Sequence, residues 1–111
     1  MRYKFIVHTM PVAGREKEYN DWYDNVHVHD VVKVPGIVNA RRYQLSDVQR
    51  RELPPGTAKY LALYDIRTDD LQHTLDVLGA RSGTSEMPIS DAMVRRASVV
   101  YRPIGPLVEE S

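Results

Sequence analysis

Within EKEYNDWYDNVHVHDVVK, a phenol, an imidazole and a carboxylate stand four and then three residues apart: Tyr23, His27 and Asp30. On a helix those spacings bring side chains into contact. Together they make an acid–base set: a hydroxyl donor, a proton carrier that works near neutral pH and a carboxylate to orient it. His27 is the expected base or acid, and Tyr23 the donor to a developing enolate or phenolate oxygen. Asp30 either orients the imidazole or takes its place as the base. His27, His29 and Asp30 do not make a metal site, because residues two apart on a helix do not face each other and no HExxH pattern occurs. No phosphate loop, GxSxG elbow or cysteine is present, so nucleotide chemistry and nucleophilic hydrolysis lack their residues.

The helix that must carry the set runs from Glu16 to about Lys33, ended by Pro35-Gly36. On a regular wheel, Tyr23, Trp22, Val26 and Val34 fall within about 60° of Tyr19, which defines the face that meets the rest of the fold. Asp30 falls inside that arc, with His27 at one margin and His29 at the other. A carboxylate there is costly unless paired or functional, and the nearby helix C-terminus also disfavours its charge. The structural alternative is that Asp30 pairs with Lys33 or His27 at the wet rim.

Trp22 with Tyr43, Tyr60 or Tyr64 offers an aromatic wall for a flat substrate. His8, ending the first strand, reaches either a cavity or an assembly face. It stands among the candidate substrate contacts beside a structural reading. His73 lies opposite Leu71, Leu75 and Leu78 and is expected in solvent, as is His29. Arg41, Arg42, Arg95, Arg96 and Arg102 fall on strands expected at sheet edges, where charge prevents stray pairing.

Strands are expected over 2–9, over GIVNARRYQL, over KYLALYDI and over RRASVVYR, with a second helix from Asp69-Asp70 to about Ala80. The order β-α-β-β-α-β is the ferredoxin-like split unit: an α+β fold with two helices on one face of a four-stranded antiparallel sheet. Tyr3, Phe5 and Val7 alternate with Lys4, Ile6 and His8. Tyr60, Ala62 and Tyr64 alternate with Leu61 and Leu63, and Val100 lies between Val99 and Tyr101. Both faces are thus apolar, which predicts that a second copy covers the face without helices.

With 111 residues, one domain spanning 1–111 is expected. Fifteen basic residues balance fifteen acidic ones, which argues against a nucleic-acid partner. No run reaches the roughly 18–20 apolar residues of a membrane span. The N-terminal stretch lacks a signal-peptide core. Absence of cysteine fits a reducing compartment, so a cytoplasmic location is expected.

The run WYDNVHVHDVVKVPGIVNARRYQL resembles the signature of EthD-like members of the dimeric α/β-barrel superfamily. The matching positions are Trp22, Tyr23, His27, Asp30, Val34-Pro35-Gly36 and Arg41-Arg42-Tyr43, with support from KYLALYDI, Met87–Ser90 and Tyr101–Pro106. His29 departs from the pattern, where similar sequences often have proline. The resemblance implies a homodimer whose two sheets pair into a barrel. It also implies a superfamily of cofactor-free cyclases, dehydratases, isomerases, lyases and monooxygenases, with some haem-binding branches. The leading expectation is a cofactor-independent lyase or isomerase acting by proton transfer on a small aromatic, polyketide-like or ring-cleavage compound. Its competitors are a cofactor-free or haem-linked monooxygenase and a non-catalytic ligand-binding dimer.

Overall fold

A computed structural model describes residues 1–110. Strand β1 (Arg2–Pro11) leads through a Gly14 turn into α1 (Glu16–Trp22), a π-helical turn (Tyr23–His27) and α2 (Val28–Val31). Then follow β2 (Ile37–Gln44), β3 (Tyr60–Arg67), α3 (Leu71–Arg81) and β4 (Met93–Tyr101). The sheet order is β2-β3-β1-β4 with every neighbouring pair antiparallel. This is the ferredoxin-like α+β fold, with β2 and β4 at the edges.

Alternation along the central strands fixes the two faces. Phe5, Val7 and Thr9 of β1 are buried against the helices, as are Tyr60, Ala62, Tyr64 and Ile66 of β3. These residues pair across the strands, Phe5 with Tyr64, Val7 with Ala62 and Thr9 with Tyr60, so one pleat face forms the floor of the core. Tyr19, Tyr23, Val31 and Val34 cover it from the first helical stretch, and Leu71, Leu75 and Leu78 pack on from α3.

The helical stretch ends where Val34-Pro35-Gly36 turns the chain. Gly36 takes φ +98°, a left-handed value that favours glycine, and a Cβ there would lie 3.0 Å from Thr74 Oγ1. The turn therefore seats β2 against the start of α3. That helix is capped by Asp70, whose carboxylate accepts the His73 amide at 3.0 Å.

The opposite sheet face has no helix. Ile6, Leu61 and Leu63 are half-buried there, and Val99 and Tyr43 are exposed. No helix is long and apolar enough to cross a membrane among the described residues.

Candidate active site

The first helical stretch departs from the regular wheel at the candidate residues. Residues Tyr23–His27 form a π turn, in which the Val28 amide donates to the Tyr23 carbonyl five residues back. One more residue per turn lets a four-residue step return to the same side, where a regular helix overshoots by about 40°. Tyr19, Tyr23, His27 and Val31 therefore share one buried stripe. Val26, expected on the buried face, turns outward and is 38% exposed. His27, expected at a margin, moves inward to 6% exposure.

The His27 imidazole forms a three-ring cluster with Trp22 and Tyr23, whose own centroids are 5.1 Å apart. It stacks on Trp22, centroids 4.6 Å apart and planes 23° apart, and meets the Tyr23 ring edge-on at 5.0 Å. Trp22 is half-buried, and its Nε1 donates to the Pro88 carbonyl at 3.2 Å. The α3–β4 loop thus holds the indole against the imidazole. His27 Nδ1 is buried and has no hydrogen-bond partner among the described residues. Burial and the positive charge of Arg95 push the imidazole pKa down to about 4, against a smaller opposing pull from Asp30. The ring is neutral at pH 7.

Beside His27 lies a cavity of about 260 Å³, between the sheet and both helical layers. Phe5 and Val7 form its floor, Tyr64 and Met87 border it, Leu75 and Leu78 line it from α3, and it opens to solvent beside Gly79, Ser82, Arg95 and Ser98. The Tyr64 hydroxyl is buried without a hydrogen-bond partner among the described residues. Its pKa is pushed well up by burial and by the neighbouring Tyr23 phenol, so Tyr64 stays a protonated donor. Among the described residues no acid lines the cavity, and Arg95 is the one side chain there that is charged at pH 7.

The other candidates are dispersed. Asp30 is 4.0 Å from the Lys33 ammonium, with its side chain 14% exposed. It makes no hydrogen bond to His27 Nδ1, so the rim pairing with Lys33 is the observed arrangement. Tyr23 touches His27 but does not line the cavity. Of the expected aromatic wall, only Tyr64 does. Tyr60 sits over Tyr19 at 5.3 Å and donates to Glu16 at 2.8 Å. Tyr43 pairs with Leu61, and His8 pairs with Leu61 and Ala97. Strand alternation turns both toward the face without helices, away from Trp22 and His27. His29 and His73 are exposed.

Two arginines behave differently from edge guards. Arg42 lies 4.5 Å over the Tyr23 ring and 5.3 Å from both Tyr19 and Tyr60. It donates to Asp24 at 2.8 Å and Asn20 at 2.9 Å, which locks the tyrosine cluster behind the imidazole. Arg95 reaches the cavity through an irregularity in β4. His8 pairs with Ala97, but Thr9 pairs with Arg95, so Arg96 is the extra residue of a bulge. The bulge turns Arg95 toward the helices. Paired arginine dipeptides read as charge; the bulge that separates their faces is set by strand register.

In sequence, no protein-family model and no curated protein matches the chain. Solved structures do match in shape. A candidate monooxygenase from Shewanella loihica PV-4 superposes with TM-score 0.62 at 12% identity, covering 95% of this chain and 96% of that one. A point mutant of MhuD, solved with two manganese protoporphyrin IX bound per active site, gives 0.60 at 12%, covering 98% and 100%. An EthD family protein from Bacillus halodurans C-125 gives 0.48 at 14%, covering 94% and 100%. The likeness to the first two is one of fold, and with the strand order above it gives this chain the ferredoxin-like α+β architecture.

Proposed function

We propose that the chain is a cofactor-independent enzyme that moves a proton on a small aromatic or carbonyl compound, with His27 as the base. The observation that carries this reading is a neutral imidazole, buried beside a cavity, with an unpartnered Nδ1. A buried polar atom without a partner costs about 1–3 kcal/mol, and such a cost is commonly retained where a site needs it. His27 takes the proton from an acidified C–H or a phenol. The Tyr64 hydroxyl donates to the oxyanion that forms. Trp22 and Tyr23 hold the imidazole plane, and Phe5, Val7 and Met87 offer apolar contact to the substrate body. Isomerisation, dehydration and non-oxidative cleavage all begin with this step.

We also propose that the assembly is a homodimer through the face without helices. Ile6, Leu61, Leu63 and Val99 make that face apolar, and a single 111-residue layer pair has little other core to draw on.

The fold likeness to a candidate monooxygenase supports a second reading, in which the same deprotonation prepares an electron-rich phenolate for reaction with dioxygen. The likeness to a porphyrin-bound protein implies haem, but the residues here do not fit it. The cavity of about 260 Å³ is below the roughly 300–1,000 Å³ of drug-sized sites, and a porphyrin is larger still. One face of the His27 ring is covered by Trp22, stacked at 4.6 Å.

The test is turnover without added cofactor. Wild type and His27→Ala are incubated with phenolic, lactone and polyketide-like compounds, and products are followed by mass spectrometry. Conversion by wild type alone, at unchanged mass or with loss of water or a carbon fragment, is expected. Equal conversion by His27→Ala contradicts the reading, and a gain of one oxygen transfers it to the monooxygenase.

A further inference from the structure

The cavity beside His27 is apolar except for a few polar groups, and its one charge at pH 7 is positive. Arg95 has no carboxylate within ion-pair distance among the described residues. Every ion pair among those residues uses other cations: Lys4, Arg15, Lys17, Lys33, Arg42, Lys59, Arg81 and the N-terminus. Arg95 is exposed and lines the cavity at its mouth, set on the helix side of the sheet by the β4 bulge, a device that re-aims side chains beside active sites. Ser98, on the far side of the bulge, lines the cavity with it.

From this geometry we infer that Arg95 is an anion subsite, and that the ligand of the cavity is a compact aromatic carboxylate: its carboxylate on the Arg95 guanidinium, its ring between Phe5 and Met87. The inference deepens the proton-transfer reading and rests on it for the fate of the ligand, but not for its binding. Guanidinium and carboxylate match in a planar, two-pronged pairing. An apolar cavity with one directional polar anchor selects for a flat body with a single charged end. The small volume limits the body to about one substituted ring.

The arrangement also couples binding to basicity. The charged and titratable groups facing His27 are Arg95 from β4, Asp30 on its own helical stretch, and the phenols of Tyr23 and Tyr64. Arg95 opposes protonation of the imidazole. A carboxylate that neutralises Arg95 removes that opposition, so the arriving ligand raises the basicity of the group that will act on it.

The experiment uses benzoate and its uncharged isostere benzamide as probes, with the fluorescence of Trp22, the sole tryptophan, as the binding signal. Wild type is expected to bind benzoate roughly tenfold or more tighter than benzamide, as a charge-assisted pair allows. Arg95→Gln is expected to abolish the preference and Arg95→Lys to keep part of it. In parallel, the His27 ring titration followed by NMR should move upward on adding benzoate, and upward in Arg95→Gln without it. Equal affinity for the two probes, no benzoate binding at millimolar concentration, or an unchanged preference in Arg95→Gln overturns the inference. The two proposals fail separately. A benzoate preference with no proton exchange on any aromatic acid retains the anion site and removes the proton-transfer reading. Conversion of neutral compounds undiminished in Arg95→Gln does the reverse.

Discussion

The imidazole of His27 lies against the indole of Trp22, ring centroids 4.6 Å apart, and the indole is pinned by its own hydrogen bond to Pro88. The base is thereby positioned from a loop on the far side of the sequence. Trp22→Phe retains a stacking ring and loses the hydrogen bond, at an expected cost of about 1 kcal/mol. Trp22→Ala removes the cover as well. It should cost roughly 2–3 kcal/mol, less than for a fully buried tryptophan, and should lift the His27 pKa toward its ordinary 6.5 by admitting water. Denaturant unfolding and a histidine titration read the two effects.

Folding stability should depend on pH through His27. In the unfolded chain the imidazole titrates at its ordinary 6.5, in the folded protein at about 4. Between those values the unfolded state binds more protons, so stability rises with pH there. The contribution is complete above about pH 6.5 and is lost progressively as pH falls toward 4, by about 3 kcal/mol at most. His27→Gln should flatten this part of the profile. A difference between wild type and variant that does not change from about pH 7 to about pH 4 contradicts it.

Much of the scaffold was legible in the residues. Phe5 and Val7 in β1, and Tyr60, Ala62 and Tyr64 in β3, group by alternation onto single pleat faces, and the element order gives the topology; which face meets the helices was not legible, because both are apolar. The site was less legible, for local reasons. A wheel of 3.6 residues per turn cannot anticipate the π turn that carries His27 inward and Val26 outward. Strand composition does not reveal the bulge that separates Arg95 from Arg96. Tyr43 and His8 are chemically apt for a site, but alternation from Arg42 and from Val7 sends them to the other face. Spacing alone lets Asp30 partner either His27 or Lys33; in the fold it lies beside the Lys33 ammonium.

Arg42 should matter to stability more than an edge charge does. Its side chain is 13% exposed, lies over Tyr23 and donates to Asn20 and Asp24. Arg42→Met should destabilise by about 1–3 kcal/mol. Arg42→Lys should recover little, since an ammonium cannot span both acceptors and lie flat on the ring. Full stability in either variant, measured by urea unfolding, contradicts this placement.

The proposed dimer predicts a molecule of twice the chain mass in analytical ultracentrifugation. Leu63, half-buried at the centre of the face without helices and paired with Ile6 and Arg41, is the position to disrupt. Leu63→Lys should shift the protein to monomer while the far-UV circular dichroism remains that of the folded sheet and helices. A wild-type monomer at micromolar concentration contradicts the dimer.

The proton-transfer reading depends on His27 being a buried, neutral base with an unpartnered nitrogen. Its ring titration by NMR, assigned by comparison with His27→Gln, tests that most directly. His8, His29 and His73 provide the internal comparison in the same sample. The His27 signal is expected to titrate at about pH 4, provided the fold persists there, and to move upward when Arg95 is replaced by glutamine. Titration of His27 at the ordinary 6.5 in the folded protein, insensitive to Arg95, would contradict it.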